Sequence, residues 1–406
     1  MNKGKDHKPH IGIYGRRNVG KSSFINALTG IEAAIVSEIP GTTTDPVKKS
    51  IEIFGIGPAI IIDTAGIDDK GKLGVKRIEK TVQSIAQIDV AILLIANNTF
   101  NSYEHQLIKE FDTYQVNYII VHNKEDIDEL TQETILKIKA ITNAPIEVCS
   151  VIKSKNINEV IEVLKNSIPA TSYQKTSLLE NIISKNDIVM LITPIDSEAP
   201  EGRMILPQAM VIRDVLDNHA INIVLKETEV EAFFQNTNLK PDLVITDSQI
   251  YKYIDSIIPK DIPLTSFSIV FAHTKGPFNK YIEGVKKLSS LKDGDQILIL
   301  ESCTHQVSCE DIGRFKLPNW IRKFSEKELH FDIAAGLSAI QKPITSYQLV
   351  IQCGGCMITK NQLQNRLKPA LDANICVTNY GISIAYMNGI LERAIQPFIN
   401  KNQLVE

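Results

Sequence analysis

Two groups of residues have the types and spacing to do chemistry. The first is Gly15-Arg-Arg-Asn-Val-Gly20-Lys21-Ser22, followed by Ser23. Glycines at both ends of such a loop let backbone amides turn toward phosphate oxygens. A lysine placed as Lys21 reaches the β- and γ-phosphates, and a hydroxyl placed as Ser22 ligates Mg²⁺. The second group is a set of thiols. Cys303 stands two residues before His305, and Cys353-Gly-Gly-Cys356 follows later in the chain. Three converging thiolates suit a soft centre, either iron–sulfur or zinc. Two glycines allow the chain to wrap tightly around a metal, and a helix start just after Cys356 favours its thiolate. A buried core cysteine beside a redox or coincidental pair is the alternative. Cys149, Cys309 and Cys376 read as structural, with Cys309 close enough to Cys303 to be an alternative ligand.

These groups need particular elements to hold them. His10–Tyr14 reads as a strand and Ser23–Gly30 as helical, so the glycine loop lies between strand and helix, with the helix N-terminus adding positive potential. Ala59–Ile62 is a strand ending in Asp63-Thr64-Ala65-Gly66. Asp63 can hold the metal through water, and the Gly66 amide can meet a γ-phosphate. Tyr118–His122 ends in Asn123-Lys124-Glu125-Asp126. Asp126 can accept from N1 and the 2-amino group of guanine, a donor pair that adenine lacks. A loop at Ser150 can close over the base. The expected ligands are GTP or GDP with Mg²⁺. Further on, Gln296–Leu300 and Tyr347–Ile351 read as strands. Both cysteine groups therefore follow strand C-termini, where open α/β sheets place ligands.

The chain has 406 residues, enough for two or three domains. Its composition, 43% apolar and 22% charged, is that of a folded globular protein. A net charge of −3 gives no general argument for nucleic acid or an anionic membrane as partner. With no secretory signal and no long apolar run, the expected location is cytoplasmic. Six cysteines do not make a disulfide framework in so long a chain. The expected fold class is α/β: a P-loop GTPase domain at 1–168, then two smaller α/β domains. The first of these, at 177–272, reads as a scaffold or self-association layer, with strands at Ile188–Thr193, Ile221–Leu225, Leu243–Thr246 and Leu264–Phe271 and a short helix at Ser177–Ser184. The second, at 273–406, carries the thiols.

The first domain resembles the translation-factor-like GTPases, in the branch of the tRNA-modification GTPase. That resemblance implies that Gly41-Thr42-Thr43-Thr44-Asp45 is the first switch, with Thr43 ligating Mg²⁺. It also implies that Asn18 helps hold a K⁺ ion doing electrostatically what an arginine finger does. Ile67 follows Gly66, where the Ras type has a water-orienting glutamine, so slow hydrolysis stimulated by K⁺ is expected. The whole chain resembles the HydF family of [FeFe]-hydrogenase maturation GTPases. The family's mark is Cys-x-His and then His-Cys-x-x-Cys. Cys303, His305, Cys353 and Cys356 match it, and Gln352 replaces the second histidine. The resemblance implies a [4Fe–4S] cluster on Cys303, Cys353 and Cys356, with His305 the candidate fourth ligand and Glu301, Asp311 or a partner-subunit residue its rivals. It implies a homodimer that takes a transient diiron precursor from two radical-SAM maturases and passes it to apo-[FeFe]-hydrogenase. Lys275, Arg314, Lys316 and Arg322 are candidate donors to that cargo. Other readings are a GTPase on tRNA or the ribosome with a structural zinc, a metal-insertion GTPase for another enzyme, and a redox-sensing switch.

Overall fold

The computed structural model describes residues 8–29, 47–64, 81, 83–169, 177–195, 204–302, 312–336, 338 and 340–399. Two compact units divide the chain, Met1–Lys175 and Thr176–Glu406.

The first unit is a six-stranded sheet in the order β2-β3-β1-β4-β5-β6. Its strands are β1 (His10–Tyr14), β2 (Val47–Ile53), β3 (Gly57–Asp63), β4 (Val90–Ile95), β5 (Asn117–His122) and β6 (Ile146–Val148). Only the β2–β3 pair is antiparallel. The central strands read as unbroken apolar runs because both faces are covered. Ile11, Ile13, Ile92 and Leu94 pack with Phe24 and Leu28 of α1 (Lys21–Thr29) on one face. Tyr14, Ala91, Leu93 and Ile120 pack with Leu107 and Phe111 of α2 (Ser102–Thr113) on the other. α3 (Gln132–Lys139) and α4 (Ile157–Ser167) complete the two helical layers.

The second unit holds two four-stranded parallel sheets. One has the order β10-β9-β7-β8, from β7 (Ile188–Ile192), β8 (Ile221–Leu225), β9 (Leu243–Thr246) and β10 (Leu264–Ser266). The other has the order β12-β11-β13-β14, from β11 (Gln296–Leu300), β12 (His330–Ala334), β13 (Leu349–Gln352) and β14 (Cys376–Asn379). The helices are α5 (Leu206–Asp217), α6 (Val230–Asn236), α7 (Tyr251–Ile257), α8 (Phe267–Lys275), α9 (Phe278–Val285), α10 (Leu317–Ser325), α11 (Lys360–Asp372), α12 (Tyr380–Met387) and α13 (Leu391–Ile399). One continuous apolar core runs through both layers, from Leu178 to Phe398.

Three expectations are corrected here. The strand expected at Leu264–Phe271 ends at Ser266, and the chain turns directly into α8. An apolar run of this length fits a buried helix as well as a buried strand. The boundary expected at 272/273 falls inside α8, which packs against helices of both layers. Ser177–Ser184 forms turns, not a helix. The Asp214 carboxylate on α5 takes up the Leu179 amide and the Ser177 hydroxyl, giving those groups partners outside any helix.

The chain crosses twice between the layers. α13 returns to β10, where the Thr265 hydroxyl donates to the Ala394 carbonyl at 2.8 Å. α9 covers β14, where the Thr378 hydroxyl donates to the Tyr281 carbonyl at 3.1 Å. Arg393 fastens the first crossing. It pairs with Asp255 at 2.6 Å and donates to the carbonyls of Ile258, Pro259 and Ile262.

Candidate functional site

β1 and α1 place the glycine loop at the C-terminal edge of the first sheet. There the chain order reverses from β1 to its two neighbours, β3 and β4. Ser22 and Ser23 are exposed in the first turn of α1. The Lys21 ammonium donates to the carbonyls of Gly15 and Arg16, both at 2.7 Å, and so lies across the loop it serves. Asn18 is exposed with φ 63°, a left-handed conformation that asparagine tolerates. Asp63 closes β3. Burial pushes its carboxyl above the usual range, opposed by the positive charge of Lys21. Thr64 anchors that strand end by donating to the Ile13 carbonyl at 2.7 Å.

Asn123 ties the base loop to the phosphate loop. Its side chain is buried and donates to the Val19 carbonyl at 2.9 Å. It accepts from the Val151 amide at 3.4 Å. Gly20 fits against it at φ 95°, and a Cβ there would lie 2.5 Å from Asn123 Nδ2. The Ser150 hydroxyl donates to Asp126 Oδ1 at 2.5 Å and holds that carboxyl below the usual range. Asp126 is therefore an ionised acceptor, as guanine recognition needs. Lys124, at φ 67°, and Glu125, paired with Lys155 at 2.8 Å, complete the loop. Sequence reasoning missed Arg16, which grips buried Glu104 on α2 at 2.8 and 3.1 Å and also bonds Asn101. Thr43 and Gly66 lie outside the described residues.

In the second unit, β11 and β13 are neighbours, with Leu300 opposite Gln352. They flank the point where strand order reverses, β12 lying on one side and β14 on the other. Cys353 follows β13. Its sulfur receives the Ser302 amide at 3.1 Å and the Gln352 side-chain amide at 3.4 Å, and contacts the Ser302 hydroxyl at 3.0 Å. Gln352 is fully buried, and its Nε2 also faces the Ser302 hydroxyl and the Cys353 carbonyl. The Cys353 carbonyl can only accept, which favours nitrogen at that end of the amide. The residue in the family's histidine position is therefore a donor to sulfur.

Buried Lys275, from the end of α8, holds the Cys-Gly-Gly-Cys turn through the carbonyls of Gly355 at 2.8 Å and Ile358 at 2.7 Å. Glu301 is buried and receives Arg314 at 3.2 and 3.1 Å. Arg366 on α11 donates to the carbonyls of Glu301 and Ala334, binding the ends of β11 and β12 together. The candidate cargo donors thus separate. Lys275 and Arg314 serve the framework around the thiols. Lys316 bonds Gln249, and Arg322 stacks over Phe331 and donates to the Leu329 carbonyl. Cys353 and Cys356 are both half-buried. Cys303, His305, Cys309 and Asp311 lie outside the described residues. Among the described residues no group of three or more metal-ligating side chains converges. No helix among them is long and apolar enough to cross a membrane.

Comparison with known proteins agrees with this division. Residues 10–124 match a family model described as 50S ribosome-binding GTPase. Residues 178–276 match the Hydrogen maturase F dimerization domain, and residues 279–397 the Hydrogen maturase F tetramerization domain. GTPase Der of Wolinella succinogenes is 32% identical over 182 residues, 41% of this chain and 38% of that protein. The tRNA modification GTPase MnmE of Lactobacillus gasseri is 34% identical over 204 residues, 46% of this chain and 42% of that protein. The chain thus spans less than half the length of these relatives. Among solved structures, Aquifex aeolicus Era bound to GDP.AlF4- aligns with a TM-score of 0.34 at 19% identity, over 54% of this chain and 93% of that one.

Proposed function

Because the chain belongs to the HydF hydrogenase maturase family, carrying both of that family's own domains behind a GTPase domain, we propose that it couples a GTP switch to the handling of a diiron cargo. In this reading the first unit binds GTP with Mg²⁺ and hydrolyses it. Lys21 and the loop amides hold the phosphates, Ser22 and Thr43 the Mg²⁺, and Asp63 and Gly66 the γ-phosphate side. Asn123, Lys124, Asp126 and Ser150 hold guanine. A K⁺ ion at Asn18 stimulates hydrolysis, so exchanging K⁺ for Na⁺ slows turnover.

The second unit holds a [4Fe–4S] cluster on Cys303, Cys353 and Cys356, with His305 the candidate fourth ligand. The described residues suit such a group. Two thiols bracket a tight turn at a sheet switch point, and N–H donors already face the Cys353 sulfur. When bound, the cluster offers an iron to which a diiron unit can attach. The protein's own residues orient the thiols: Lys275 fixes the turn, Gln352 and Ser302 fix Cys353, and Arg366 fixes the end of the strand leading to Cys303. The diiron precursor, bearing CO and cyanide, is cargo received from two radical-SAM maturases and delivered to apo-[FeFe]-hydrogenase. GTP gates association with these partners.

The observation that carries this reading is the joining, in one chain, of a guanine-type P-loop with a thiol pair at a second switch point. Anaerobic reconstitution with iron and sulfide, followed by EPR of the reduced protein, tests it. The expected result is a [4Fe–4S]⁺ signal lost in Cys303→Ala, Cys353→Ala and Cys356→Ala. Zinc bound in place of iron would overturn it and favour the reading suggested by the ribosome-binding description of the GTPase model, a switch with a structural metal.

A further inference from the structure

The phosphate loop of the first unit is pinned at both ends. At its C-terminal end Asn123 holds the Val19 carbonyl and packs on Gly20. At its N-terminal end the loop starts against β4. A Cβ on Gly15 would collide with the Leu94 carbonyl, so only glycine fits there. Arg16, the next residue, sends its side chain to the start of α2. Three residues receive it. Glu104 takes Nε at 2.8 Å and Nη2 at 3.1 Å on its two oxygens. Asn101 Oδ1 accepts from Nη2. The guanidinium carbon lies 5.2 Å from the centroid of the Tyr103 ring. The same Glu104 closes the capping box of α2, accepting the Asn101 amide at 2.9 Å.

The Glu104 side chain is 1% exposed and that of Arg16 26%. A carboxylate at that depth is stable only when paired and hydrogen-bonded. A bidentate guanidinium supplies both, in one fixed geometry that an ammonium does not reproduce. The pair therefore fixes where residue 16 sits relative to the sheet. That position matters because of the Arg16 backbone. Its carbonyl and that of Gly15 hold the Lys21 ammonium, each at 2.7 Å. A lysine at this place in a phosphate loop is the group that reaches the β-phosphate. One line of contacts thus runs from Glu104 to the Arg16 side chain, and from the Arg16 carbonyl to Lys21.

We infer that Arg16 and Glu104 are positioning residues for phosphate binding. Their ion pair sets the Arg16 carbonyl, the carbonyl sets Lys21, and α2 thereby takes part in phosphate binding from outside the loop. Such preorganisation spares the ordering of loop and lysine at the moment of binding. Its loss falls on the β-phosphate and spares the base, for which Asp126 and Ser150 are set by a bond of their own. The inference rests on the nucleotide reading proposed above.

Competition against a fluorescent GDP on the full chain tests it. The competing ligands are GDP and GMP, because GMP lacks the phosphate that Lys21 reaches. Arg16→Lys keeps the charge without the fork and weakens GDP about tenfold; Arg16→Met weakens it about ten- to hundredfold. GMP shifts by less than about threefold in both. Arg16→Met strands a buried carboxylate, so the double variant Arg16→Met, Glu104→Gln is measured beside it. There the stranded charge is gone, circular dichroism matches the wild type, and GDP affinity stays low. Two results overturn the inference: GDP binding within about twofold of wild type in Arg16→Lys and the double variant, or equal losses for GDP and GMP, the mark of a merely structural pair. A wild type that binds no GDP removes the nucleotide reading, and this inference with it.

Discussion

Asn123 is the joint between the base loop and the phosphate loop, so Asn123→Ala tests whether the two act as one site. The substitution removes the 2.9 Å bond to the Val19 carbonyl, in a residue only 6% exposed. An acceptor stranded at such depth costs about 1–3 kcal/mol. If that cost falls on the loop geometry that grips phosphate, GDP affinity drops about 5- to 150-fold. Gly20→Ala makes the argument sharper. Its Cβ would press on Asn123 Nδ2 at 2.5 Å, and φ 95° adds strain of about 1–2 kcal/mol. In the Asn123→Ala background the steric partner is gone and only the strain remains. The second substitution should then cost less than it does alone, with a coupling of about 0.5–3 kcal/mol. Titration with a fluorescent GDP measures all four proteins. The reasoning fails if Asn123→Ala binds within twofold of wild type, or if Gly20→Ala costs the same in both backgrounds.

Three further outcomes are expected. Gln352→Leu lowers the reduction potential of the reconstituted cluster, because an N–H donor to a ligating sulfur stabilises the more negative reduced state. Iron content stays at the wild-type level; loss of iron would instead mark Gln352 as a ligand. Lys275→Met strands the buried carbonyls of Gly355 and Ile358 and destabilises the second unit by about 1–3 kcal/mol, read by urea unfolding, and an unchanged midpoint contradicts it. Burial holds His122 below the ordinary imidazole value, and burial with nearby Lys360 does the same to His273. Both stay neutral when folded at a pH where the unfolded chain takes up protons. Thermal stability is therefore level above about pH 7 and falls as the pH drops through about 6.5 toward the lowered folded values. A melting temperature that holds or rises across that range refutes it.

The first unit was the more legible part of the sequence, because its chemistry is local. Gly15 to Ser22, Asp63 and Asn123 to Asp126 announce a strand end, a turn and a ligand within a few residues each. Asp126 and Ser150 meet across one loop closure, a bond the sequence reading did not anticipate. The second unit is governed by distant pairs. Lys275 and the Gly355 carbonyl are 80 residues apart, and the sequence offered Lys275 only as a donor to cargo, not as the residue that holds this turn. Gln352 read as a lost ligand until the β11–β13 register set it beside Ser302 and Cys353. Leu264–Phe271 read as one strand because apolar character alone does not separate a buried strand from a buried helix. The following Gly276-Pro277 pair was the available signal that a helix ends there.

The double crossing between the layers also bears on how the protein is made. A nascent chain leaves the ribosome N-terminus first, and domains fold as units as they emerge. The strands of the GTPase sheet are all synthesised by Val148, so that unit can close early. The layer of β7 to β10 has all its strands by Ser266, yet the helix that covers β10 is α13, which comes from the far end of the described chain. Until Ala394 and Arg393 are made, Thr265 and the carbonyls of Ile258, Pro259 and Ile262 lack the partners they have in the finished fold. The middle layer must wait, partly uncovered, through the synthesis of the layer of β11 to β14. Translation stalled in that interval would leave a finished GTPase unit attached to a layer whose covering helix had not yet been made.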